Sequence, residues 1–74
     1  MATDTPFTKA LGEQIDKIRT KKGLSFQEMA LRCDMEKTQV FRICTNGANI
    51  TANTMLKIAK GLDISIIELF NFKH

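Results

Sequence analysis

The chain has no tryptophan or tyrosine, one proline, one histidine, two cysteines and no long apolar run. Each shortage closes off a class of protein. A membrane span needs ~20 consecutive apolar residues, and none is present. The sole histidine is His74, and Cys33 and Cys44 stand apart with no C-x-x-C or C-x-x-H spacing, so neither a metal site nor a cofactor is expected. No His, Cys or Ser stands as a base-nucleophile pair, and no glycine-rich loop is built to cradle phosphate, which leaves an enzyme without a mechanism. Met1 to Pro6 is short and polar, with nothing resembling a secretory apolar region. We therefore expect a cytoplasmic chain whose reduced cysteines serve as small buried apolar residues.

What is present is 74 residues, 43% apolar and 26% charged, enough for one small domain. A chain of this length removes only ~60% of its unfolded surface from water, so without metal or disulfide a second subunit is the expected stabiliser. The net charge of +3 is uneven. Residues 1–16 sum to −2, residues 17–42 to +4 and the remainder to +1. The middle of the chain is thus suited to an anionic partner.

Apolar spacing predicts helices and no strands. Phe7, Leu11, Ile15 and Ile18 form the stripe of a first helix over about 6–22, with Pro6 in its first turn and Gly23 at its stop. Ser25 and Glu28 have capping-box spacing, with Leu24 and Met29 as the staple, and start a second helix over about 26–33. Val40, Ile43 and Cys44 share one face of a third, 37–45, and Met55, Ile58, Ala59 and Leu62 one face of a fourth, 52–62. Ser65 and Glu68 repeat the box, with Ile64 and Leu69 as staple, ahead of a fifth helix over about 66–71. The predicted architecture is an all-α five-helix bundle: a flexible N-terminus over 1–5, one domain over 6–72 and a tail at 73–74. Only Asp34, Met35 and Glu36 separate the second and third helices, which predicts a near-perpendicular corner, a helix-turn-helix over about 26–45.

At these residues the sequence resembles the Cro and phage-repressor, or XRE-like, helix-turn-helix family. The resemblance covers about residues 11–70 and rests on Leu11-Gly12, Ile15-x-x-Ile18-Arg19, Gly23-Leu24-Ser25-x-x-Glu28-Met29-Ala30, Lys37-Thr38-x-Val40-x-Arg42-Ile43, Thr54 to Leu62, and Ile64-Ser65-x-x-Glu68-Leu69-Phe70. It implies a lambda-repressor-like domain that binds operator DNA as a dimeric transcriptional regulator. The small controllers found beside restriction genes and in phages are similar in size. Three positions depart from the family pattern. Phe26 stands where a glutamine is usual, and Gln27 is expected to take over its contact. Asp34 replaces the corner glycine, at a cost on the order of 1 kcal/mol for a positive φ. Cys44 stands where a glutamate would pair with Arg19, so Arg19 should turn to solvent and phosphate or find backbone carbonyls, and Cys44→Glu should raise the unfolding midpoint.

With Val40 facing the core, ~100° per residue turns Ile43, Cys44 and Glu36 inward and Thr38, Arg42 and Thr45 outward. Arg42 has the donors to take guanine O6 and N7 bidentately, Gln39 to pair with adenine, and Thr38 to meet a thymine methyl. Lys37 at the helix entry completes the base-contacting set, with Phe41 either on thymine methyls or packed on the following loop. Phosphate contacts are expected from Gln27, Arg19, Lys21, Lys22, Thr45, Asn46 and Asn49. Ile64, Ile66, Ile67, Leu69, Phe70 and Phe72 exceed what one short helix can hide, which points to a homodimer seam, with recognition helices ~34 Å apart on a palindrome. The alternative is a protein-interaction module derived from a helix-turn-helix, antitoxin-like, with Phe26 and Phe41 marking its binding surface.

Overall fold

The computed structural model describes residues 6–72; the predicted flexible N-terminus and tail, with His74, lie outside the described residues. Five helices follow in order: α1 (Pro6–Lys21), α2 (Phe26–Cys33), α3 (Lys37–Asn46), α4 (Ala52–Leu62) and α5 (Ile66–Leu69). Among the described residues there is no strand.

Cap chemistry accounts for most of these bounds. The Ser25 hydroxyl accepts from the Glu28 amide at 3.0 Å while the Ser25 amide donates to the Glu28 carboxylate at 2.8 Å, so the reciprocal box forms. The Ser25 amide first, and then the nearby Ser25 hydroxyl, hold the Glu28 carboxyl below its ordinary range. Thr51 starts α4 by accepting from the Thr54 amide. Ser65 makes only its own half of the second box. At their C-termini α1, α2 and α4 all close through a left-handed residue: Gly23 (φ 71°), Asp34 (φ 55°) and Asp63 (φ 58°). The amides of Leu24, Met35 and Ile64 then reach back to the carbonyls of Arg19, Ala30 and Ala59 at 2.9–3.1 Å. The turn between α2 and α3 thus closes through Asp34 in the positive-φ conformation the sequence predicts.

Two expectations need correction. Glu36 is exposed, because it precedes α3 with extended backbone (φ −85°, ψ 146°), and a helical wheel does not apply to a residue outside the helix. Helix α5 stops at Leu69. Its last carbonyls are taken by short-range bonds from Phe70 and Asn71 and by the Gln14 amide, which donates to Glu68 and Asn71, so no α-helical bond extends it.

The core is made where the stripes meet. Leu11, Ile15, Met29, Cys33, Val40, Ile58, Leu62 and Leu69 are completely buried, each large apolar group contributing about 1.5–3 kcal/mol by leaving water. Helix α1 packs on α3 and α5, while α2 packs on α3 and α4. Gly12 within α1 and Gly61 in the last turn of α4 set how close α1 comes to α3 and α4 to α2. A methyl at Gly12 would fall 2.5 Å from the Ile43 carbonyl oxygen, and one at Gly61 would fall 2.8 Å from the Cys33 Cα. Backbone meets backbone at both crossings.

Substitutions at these positions should separate strain from packing. Asp34→Gly relieves a left-handed residue of its Cβ, and we expect the thermal midpoint to rise by a few degrees, equivalent to at most about 1 kcal/mol. Gly12→Ala pushes α1 off α3 and should cost about 1–3 kcal/mol in denaturant titrations.

Candidate nucleic-acid interface

Helix α3 buries one side and exposes the rest. Val40, Ile43 and Cys44 are buried, and Lys37, Thr38, Gln39, Phe41, Arg42 and Thr45 are exposed. The side chains of Lys37, Thr38, Gln39 and Arg42 make no hydrogen bond or ion pair within the described chain. Four unengaged polar side chains on one turn-and-a-half of helix form a donor-rich surface, the chemistry that base edges in a major groove accept.

On one flank of this surface lies an open cleft of about 620 Å³, lined among others by Gln39, Arg42, Thr45, Asn46, Asn49 and Lys9. The loop after α3 reaches it because the Ala48 amide donates to the Thr8 carbonyl at 2.8 Å, which ties the loop to α1. The loop amides of residues 46–49 are also expected to clamp phosphate, and that bond removes the Ala48 amide from the set. Thr45 donates its hydroxyl proton to the Phe41 carbonyl at 2.7 Å. Gln27, Asn46 and Asn49 are exposed.

On the other flank a chain of contacts runs inward. The exposed Phe41 ring meets Phe26 edge-on, 5.3 Å between centroids at 80°. Side chains on a helix lean toward its N-terminus, which aims residue 41 at the start of α2. The Arg19 guanidinium lies 4.1 Å above the Phe26 ring. It also pairs with Asp16 at 2.8 Å and donates to the Leu24 carbonyl at 2.6 Å. Arg19 thus finds the backbone carbonyl that the sequence suggests, together with an acidic partner one turn back. Cys44 lies against this pair: burial first, then the Asp16 carboxylate, pushes its thiol up to about 11.

Comparison with known proteins places this geometry. A helix-turn-helix family model, HTH_3, matches residues 15–69. The chain belongs to the HTH_3 family. This XRE-type family groups DNA-binding transcription regulators, and the HTH_3 chain has their five-helix fold. It is 31% identical to the restriction-modification controller protein C.AhdI from Aeromonas hydrophila, with 86% of this chain and 96% of that one covered and a TM-score of 0.78. The wild-type restriction-modification controller protein C.Esp1396I is 27% identical, with 89% and 86% covered and a TM-score of 0.82. An HTH_3 family transcriptional regulator from Vibrio cholerae is 29% identical at a TM-score of 0.84, the alignment taking in 92% of this chain and 38% of that longer one. No curated protein matches the sequence.

Several basic residues of this HTH_3 chain sit apart from the cleft. Lys21 and Lys22 line, with Lys17, a recess of about 440 Å³ between α1 and the end of α5, and it shares no residue with the cleft beside α3. Lys9 is the converse case, a cation the sequence places in an acidic segment and the fold carries to the cleft. Of the apolar residues expected at a seam, Leu69 is buried, and Ile64 and Ile66 are half-buried against the core. Phe70 and Phe72 pack on Phe7, with centroids 6.1 and 5.9 Å away. Ile67 is 79% exposed, and Leu56 on α4, absent from the expected set, is 57% exposed. Among the described residues no helix is long and apolar enough to cross a membrane, and no acidic, Cys or His cluster is arranged to hold a metal.

The Asp16–Arg19 pair changes what Cys44→Glu should do. In the parent chain the new carboxylate would face Asp16, so a gain is expected only in an Asp16→Asn background. Asp16→Asn alone should lower the thermal midpoint by roughly 4–8 °C, or about 1 kcal/mol after allowing for solvent at the exposed carboxylate. Melting the parent, both single variants and the double variant completes the cycle.

Proposed function

We propose that the chain binds duplex DNA sequence-specifically as a homodimeric, cytoplasmic transcriptional regulator of the restriction-modification controller kind, with α3 in the major groove of each half-site. The observation that carries this reading is the outer face of α3, where Lys37, Thr38, Gln39 and Arg42 are exposed and unengaged above a strip pinned into the core. Arg42 is assigned to a guanine, Lys37 to a guanine or phosphate at the groove entry, Thr38 and Gln39 to neighbouring edges. Gln27, Asn46 and Asn49 hold the backbone, with Lys9 joining them from α1. Arg19, engaged by Asp16 and Leu24, braces the start of α2 rather than reaching a phosphate. Lys21 and Lys22 act at longer range, through attraction that falls steeply with salt.

The exposure of Ile67 supports a seam through α5, continued by Leu56 on α4, the helix against which α5 packs. The half-buried Ile64 and Ile66, and Phe70 and Phe72 beside them, would border it. A two-fold axis there would set the recognition helices ~34 Å apart, one helical turn of DNA.

Selection of bound sequences from random duplex DNA, repeated with Arg42→Ala, tests the reading. We expect a palindromic consensus, and for Arg42→Ala a loss of preference at one symmetric base pair per half-site worth ~1–3 kcal/mol. No retardation of mixed duplex at 50 mM salt would favour the protein-interaction module instead. Ile67 is in water in the single chain, so Ile67→Glu should leave the fold of the monomer intact while sedimentation shifts to the monomer, DNA affinity falls, and the thermal midpoint loses only its dependence on protein concentration.

A further inference from the structure

Phe41 is the one apolar residue of α3 left in solvent, at 51% exposure, while Val40, Ile43 and Cys44 are buried. Its ring is not loose. It stands edge-on to Phe26, Phe26 carries the Arg19 guanidinium on its face, and Arg19 is fastened to Asp16 and to the Leu24 carbonyl. This line of contacts fixes an apolar prow beside the polar strip that holds Thr38 and Arg42, with Lys37 and Thr45 one turn away on either side. Duplex DNA presents base edges in the major groove, so stacking partners are out of reach there, and the only apolar group on offer is the methyl at C5 of a pyrimidine. Arg42 lines the cleft on the opposite flank from Phe26, so the apolar and cationic readers are directed at different base pairs.

We infer that Phe41, positioned by Phe26, is a specificity-determining residue that reads a pyrimidine C5 methyl, of thymine or 5-methylcytosine, in each half-site. This rests on the DNA-binding reading above and adds to it the chemical group that one position recognises. Uracil pairs as thymine does and lacks only the methyl, so it isolates the contact without altering the protein.

In the duplex recovered by selection, each thymine is replaced by uracil in turn, symmetrically in both half-sites, and Kd is measured for the parent chain and for Phe41→Ala. One position should weaken binding by about fourfold per half-site, hence about fifteenfold for the dimer, the effect of one methyl left in water. Phe41→Ala should bind the thymine and uracil duplexes equally. If instead the recovered position is a cytosine, its 5-methylation should tighten parent binding by a similar factor and leave Phe41→Ala indifferent, which identifies modified cytosine as the source of the methyl. An enriched duplex indifferent to uracil and to 5-methylation at every position overturns this inference alone, as does a methyl effect that persists in Phe41→Ala. Failure to enrich any duplex overturns the DNA-binding reading along with it. Phe41 is half in solvent, so the variant is expected to fold, and its thermal midpoint checks that it has.

Discussion

Burial of Val40, Ile43 and Cys44 against α1 and α2 holds α3 by one side only, and what the molecule can do follows from the residues left on the other. The strip is short, three residues in ten, so its grip depends on how closely the neighbouring helices approach. Gly12 lets the α1 backbone come against the carbonyl of Ile43, and Gly61 lets α4 come against Cys33 at the end of α2. The Gly12 crossing bears on α3 directly, and the Gly61 crossing bears on α2, against which α3 packs.

Two of the departures from the usual family pattern, Phe26 and Cys44, are linked. With a cysteine at position 44, Arg19 turns to Asp16 on its own helix, and the guanidinium comes to lie on the ring of Phe26, which itself stands where a glutamine is usual. An aromatic at 26 then offers an edge to Phe41. Two substitutions that look independent along the chain, at 26 and 44, thus join with Arg19 and Phe41 in one continuous arrangement. Its physical consequence is that the flank of α3 beside α2 presents an aromatic ring, half in solvent, next to the polar strip.

The two aspartates in left-handed conformation show how local strain is tolerated in a small domain. Asp34 and Asp63 occupy equivalent closing positions, each followed by an amide that satisfies a helix carbonyl five residues back. The hydrogen bonds and the apolar residue that follows outweigh the modest steric cost of a Cβ there. The turn between α2 and α3 closes through that backbone geometry with an aspartate where a glycine is usual.

Helix limits, the corner, the capping box at Ser25 and the buried strip of α3 were all legible in the sequence, because spacing along a helix and cap chemistry act over three to five residues. The same local reasoning misplaced Glu36, by extending the wheel past the helix start, and overran α5, whose end is taken by the Gln14 amide from α1. The partner of Arg19, the Phe26–Phe41 contact, the arrival of Lys9 at the cleft and the withdrawal of Phe70 and Phe72 onto Phe7 were decided by tertiary structure alone. Most of these join residues on different helices, and where they fall depends on crossing distances that two glycines set. The Asp16 pair is local in spacing, but the Cys44 thiol beside it and the Phe26 ring beneath the guanidinium come from other helices.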